Sequence, residues 1–313
     1  MVTQSITLKS DEQFGRRVPS ESLGCVLEQI PEAVRRSVRM AMEGRSRSRG
    51  KRPNWLRTAS DLRFLGHEGN DQTILHFEIS TLKEAAPRLY EQQEIWPTRP
   101  RADDTGLDVL ADVFRDVATR NADSERFDRP LLDSLSHFGN ILNGTFSELV
   151  VSSHRKPGVE DVSVTADVIN AARELGTNTP QPRRVRVVGR LDMVRASTQS
   201  FGLVLDGGEE VRGVMSEGVV GELGSLLSQR VLVAGSVVYR ASGRVLRIDA
   251  EHITATTEVG EFFSSIPKSP RQRFDLRDVV REQHHKLGLA GVIGKWPGDE
   301  SEDDILRALE ELS

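Results

Sequence analysis

Residues 183–256 read RRVRVVGRLDMVRASTQSFGLVLDGGEEVRGVMSEGVVGELGSLLSQRVLVAGSVVYRASGRVLRIDAEHITAT, and the fold turns on this stretch. Arg184–Val194 alternates: Val185, Val187, Leu191 and Met193 fall on one side, Arg184, Arg186, Arg190 and Asp192 on the other. A period of two marks a half-buried strand. Phe201, Leu203 and Leu205 repeat it, Asp206-Gly207-Gly208 suits a tight reversal, and Val211–Met215 reads as the return strand. Val219, Val220, Leu223, Leu226 and Leu227 follow at helical spacing. Val231–Tyr239 and Arg244–Ile253 form a second hairpin across Arg240-Ala241-Ser242-Gly243. Gly189 and Gly235 fall in mid-strand, as a tightly curled sheet requires where no Cβ fits.

This β-β-β-α-β-β order in about 70 residues resembles the OB-fold, a small five-stranded Greek-key barrel. The resemblance implies ligand binding on the face of the second and third strands and on two loops, Ala196–Ser200 and Arg240–Gly243. Arg195, Arg240, Arg244 and Arg247 would form a basic rim there. Single-strand binding also uses aromatic platforms. Only Phe201 and Tyr239 are candidates, and the alternation points Phe201 into the core.

The preceding residues read as an α+β domain, 1–180. Ile6 and Leu8 suggest a short strand. A helix starts near Ser20 or Ser22, carries Leu23, Val26, Leu27, Ile30, Val34 and Val38, and stops at Gly44; Pro31 is expected to kink or divide it. Next comes a basic, mobile loop, in which Arg45, Arg47, Arg49, Lys51 and Arg52 suit phosphates, an acidic cleft of a partner, or plain solvent. Trp55–Phe64 and Thr73–Ile79 read as strands, and Leu82–Glu91 as a helix interrupted by Pro87. In the Asp104–Arg120 helix, Leu107, Leu110, Val113, Phe114 and Val117 make the apolar stripe. Asp108, Asp112 and Asp116 occupy a separate face, expected to be solvated, because a hard cation needs ligands from a second element. Pro130–Leu142 and Val164–Leu175 read as helices around a strand at Phe146–Ser152. The barrel spans 183–256, a connector 257–293 and a tail 294–313.

Catalytic signatures are missing. The chain has no GxxxxGK[ST] loop, no GxGxxG between strand and helix, no HExxH and no GxSxG. Cys25 is the only cysteine, which excludes an internal disulfide and a multi-thiolate zinc site. We therefore expect no enzyme activity, no cofactor and no metal. No run approaches 18 apolar residues and the first residues lack a signal-peptide pattern, so neither membrane insertion nor secretion is expected, and the cytoplasm is the expected compartment. The net charge of −5 hides two poles: Arg35–Arg63 carries a local +8, and the residues from Asp299 onward a local −6.

That acidic pole belongs to Gly294–Ser313, GKWPGDESEDDILRALEELS. Ser301 suits an N-cap, and Ile305, Leu306, Leu309 and Leu312 form one face of a helix too short to be stable alone. Such a helix is either a strap over its own domain or an offering to a partner's groove. The segment resembles the tails of bacterial antitoxins encoded beside PIN-domain ribonuclease toxins, where a tryptophan, an acidic turn and an amphipathic helix wrap the toxin. The resemblance implies a non-enzymatic binding protein that engages and inhibits a PIN-domain toxin through Trp296, Pro297, Ile305, Leu306, Leu309 and Leu312, with the 45–52 loop reaching the toxin's carboxylates. The alternative is single-stranded nucleic-acid binding by the barrel and that same loop, which salt would weaken steeply.

Overall fold

The computed structural model describes residues 1–14, 17–48, 50–69, 71–91, 99–142, 144–155, 161–215, 220–256, 265–267 and 269. Met1–Arg271 forms one compact unit. The fold is α+β. Its first sheet comprises β1 (Val2–Lys9), β2 (Arg63–Glu68), β3 (Thr73–Ile79), β4 (Glu148–Val151) and β5 (Val162–Thr165) in the order β2-β3-β1-β4-β5. All neighbours are antiparallel. Alternation along β1 and β3 buries Ile6, Leu8, Leu75, Phe77 and Ile79.

Seven α-helices accompany this sheet among the described residues: α1 (Ser20–Glu43), α2 (Asn54–Ala59), α3 (Leu82–Ala85), α4 (Pro87–Tyr90), α5 (Gly106–Ala118), α6 (Arg129–Ser136), which a 3-10 turn, His137–Asn140, continues, and α7 (Ala166–Asn178). Three expectations need correction. Pro31 does not divide α1, because burial of Val26, Ile30, Ala33, Val34 and Val38 holds the helix on both sides of the proline. Ser20 and Ser22 do not cap it; Pro19 stands at the N-cap, and the Ser22 hydroxyl donates to Thr145. Trp55–Phe64 is not one strand: Leu56 and Ala59, three apart, bury one face of α2 before β2 begins at Arg63. Pro87 opens α4, where its missing N–H costs nothing, and so separates α3 from α4.

The second sheet is a closed five-stranded barrel of β6 (Arg183–Arg195), β7 (Ser200–Leu205), β8 (Glu210–Met215), β9 (Arg230–Tyr239) and β10 (Val245–Ala255). β6, β7 and β8 form an antiparallel meander, and β9 pairs with β6. β10 closes the ring, antiparallel to β9 and parallel to β8. A 3-10 segment, Val220–Leu226, stands where α-helical spacing was expected. Val187, Leu191, Phe201, Leu203, Val233 and Ile248 fill the interior.

Met193 departs from the face predicted for it. A register shift between Leu191 and Met193 changes the phase of β6, so Val194 packs on the barrel core while Met193 lines an outer recess. The glycines at the closest approaches behave as their positions require. A Cβ on Gly235 would stand 2.2 Å from the Asp249 carbonyl oxygen, and one on Gly189 2.7 Å from that of Val204. No helix among the described residues is long and apolar enough to cross a membrane.

Gly235→Ala is expected to lower unfolding free energy by about 2–3 kcal/mol, the usual cost of forced overpacking. Gly207→Ala, whose Cβ would meet nothing within 4 Å, should change it by no more than about 0.5 kcal/mol. Urea denaturation followed by circular dichroism checks the pair.

Candidate functional site

The predicted binding face of the barrel is turned towards the first domain. Gly44 ends α1 in the left-handed region (φ 76°), and the chain there lies against Arg212 and the fully buried Val214 of β8. Beyond that turn, Arg45 Nη1 donates to the Met215 carbonyl at 3.0 Å and Nη2 to Gln199 Oε1 at 3.0 Å, with Glu43 beside its Nε. Arg45 and Ser46 are buried, which corrects the expectation that this segment is wholly mobile and basic. Arg47, Lys51 and Arg52 are exposed; Arg49 lies outside the described residues.

A second contact joins the barrel to the preceding residues at Asp128. Its carboxylate caps α6 by accepting from the Leu131 N–H, and it also accepts from the N–H and hydroxyl of Ser46. Arg247 Nη2 of β10 reaches it at 3.1 Å, while Arg247 Nε holds Asp249 at 2.7 Å. Burial pulls the Arg247 guanidinium down, but Asp128 and Asp249 more than reverse this and keep it charged.

The turn between β9 and β10 docks alongside. Arg240 donates to the Asp123 carbonyl at 3.0 Å and to Glu125 at 2.6 Å, and the Ser242 N–H donates to the Ala122 carbonyl. The basic rim read from sequence is therefore largely engaged within the chain. Arg240 and Arg247 face carboxylates of the first domain, Arg244 lies 3.7 Å from Asp123 but stays exposed, and Arg195 borders a recess.

The aspartates of α5 are not a solvated face. Asp108 is buried, forms a capping box with Thr105, and accepts from the His154 N–H at 3.0 Å. Asp116 accepts from Arg126 and Ser124. Asp112 is held by Arg115 and by both ends of Arg155, which also grips Asp104. Burial pushes the Asp112 carboxyl up, and hydrogen bonds from Arg155 outweigh it, leaving the group below the ordinary carboxylate value. No cluster of three metal-ligating residues exists among the described residues.

Between α1, α5, the 121–126 loop and the barrel lies a cleft of about 560 Å³. Ser37, Met40 and Val113 line it from the helices, and Arg126, Arg212 and Arg240 from its polar walls. A smaller recess of about 140 Å³ shares Ala41, Arg99 and Arg212 with it, and extends along the barrel's outer face to Met193 and Gly202. Nothing in the sequence signalled this cleft, because its walls come from stretches as far apart as Ser37, Arg99, Val113, Arg126, Arg212 and Arg240. Trp296, Pro297, Ile305, Leu306, Leu309 and Leu312 lie outside the described residues. Compared with known families, curated proteins and solved structures, the chain has no match.

Two outcomes are expected from these contacts. Asp128→Ala leaves buried Arg247 with Asp249 but without its second carboxylate, removes the α6 cap and the acceptor of Ser46, and should cost about 3–5 kcal/mol in a denaturant titration. Asp112, depressed in the folded chain, contributes stability above about pH 4 that is lost as pH falls through its folded value. Asp112→Asn should therefore destabilise the chain at neutral pH, and the gap to the wild type should shrink in pH-dependent melts as acid protonates the wild-type carboxylate.

Proposed function

We propose that this chain is a non-enzymatic, antitoxin-like binding protein whose segment Gly294–Ser313 engages and inhibits a partner protein, a ribonuclease toxin of the PIN class. The observation that favours a protein partner over a nucleic acid is the inward use of the barrel surface. Its strand order and the parallel β8–β10 closure support an OB-like reading. Yet the β7–β8 face and the Arg240–Gly243 turn, through which such a barrel binds single strands, contact the first domain instead. Phe201 and Tyr239 are both buried, so neither offers a stacking platform. The tail is then the element whose apolar anchor residues best suit recognition, with Trp296 the typical hot-spot residue.

The test is capture from the native host with the full-length chain and with one truncated before Gly294, followed by an RNA-cleavage assay on the captured protein. The full-length chain should hold a PIN-class ribonuclease through a high-salt wash and suppress its cleavage, whereas the truncated chain should do neither. Trp296→Ala should weaken the complex by about 2 kcal/mol. Equal capture by both forms would remove the tail from the mechanism. RNA or single-stranded DNA recovered with both, and released by moderate salt, would put the barrel in its place.

A further inference from the structure

The cleft between the first domain and the barrel holds hydrogen-bond donors that the chain leaves unmet. Ser37 is wholly buried and borders the cleft, and its hydroxyl has no hydrogen-bond partner, not even the helix carbonyl that such serines commonly use. Arg240 Nε, which also borders the cleft, is likewise buried without an acceptor among the described residues. Arg212 borders both the cleft and its recess, is exposed, and makes no ion pair among the described residues. Buried polar groups are normally satisfied, so unmet donors bordering one cavity call for an acceptor.

The carboxylates on the same walls are already answered. Asp112 faces Arg155, Asp116 faces Arg126, Asp123 faces Arg244 and Glu125 faces Arg240. A cation would therefore compete with an arginine at every one of them. An anion meets no such competition at Arg212, which faces no carboxylate partner among the described residues.

We infer that this cleft binds a small anionic metabolite bearing phosphate or carboxylate, with Arg212 supplying charge and Ser37 and Arg240 the buried donors. A volume of about 560 Å³ falls within the range that takes a ligand of metabolite size. Ser37 belongs to α1 and Arg212 to β8, so the ligand bridges the domains and stabilises their junction. This inference rests on residues of Met1–Arg271 and is independent of the tail.

The test uses the full-length chain in calorimetric titrations with inorganic pyrophosphate and, separately, citrate, at ionic strength held constant with chloride. Saturable one-site binding of either anion, with a rise in Tm, is expected; pyrophosphate alone would mark a phosphate ligand and citrate alone a carboxylate. Arg212→Ala should weaken binding about tenfold or more, the loss expected for a charge-assisted contact. Because Arg212 is exposed and makes no ion pair among the described residues, this variant should keep the wild-type circular dichroism spectrum. Arg186→Ala, an exposed arginine of β6 outside the cleft, should leave binding unchanged. Absence of saturable binding by both anions, or equal effects of Arg212→Ala and Arg186→Ala, would overturn the inference.

Discussion

Asp128 carries the constraint on which the arrangement of Met1–Arg271 depends. One buried carboxylate caps a helix, fixes Ser46 after the end of α1, and neutralises Arg247 of the barrel. A charge this deep is tolerated only when its hydrogen-bonding capacity is filled, and here three separate segments fill it. Arg45 then lies where it can reach Met215 and Gln199, so the end of α1 and the barrel face are registered together.

This registration occupies part of the barrel surface. A barrel of this strand order offers one outer face and two loops to ligands. In this chain the face lies against Gly44 and Arg45, and the loop between the last two strands lies against Ala122–Glu125. What remains open is a polar cleft at the margin of that contact, walled by both domains. Binding at such a seam stabilises the contact itself, since a ligand that bridges two bodies favours the docked arrangement.

The parts legible in sequence rest on local periodicity. The alternation in β6 and β7, the reversal at Asp206–Gly208 and the stripe on α5 are each contained within a dozen residues, and the side-chain direction in a strand or helix follows from backbone geometry alone. The misreadings have equally local causes. Trp55–Phe64 is a short apolar run that strand and helix accommodate equally, and the phase change at Met193 needs one extra residue that no periodicity announces.

The sequence by itself determined the α+β class, the strands of a small curled sheet, the stop at Gly44 and, up to the phase change at Met193, which side chains of β6 and β7 point inwards. Only the tertiary structure decided what covers the outward ones. Arg45 meets Met215 across 170 residues, Arg247 meets Asp128 across 119, and Arg155 meets Asp112 across 43. An arginine on the outer face of a strand reads the same whether solvent or a buried aspartate awaits it. The difference is the free energy of packing the barrel against the first sheet and its helices, which no local pattern encodes.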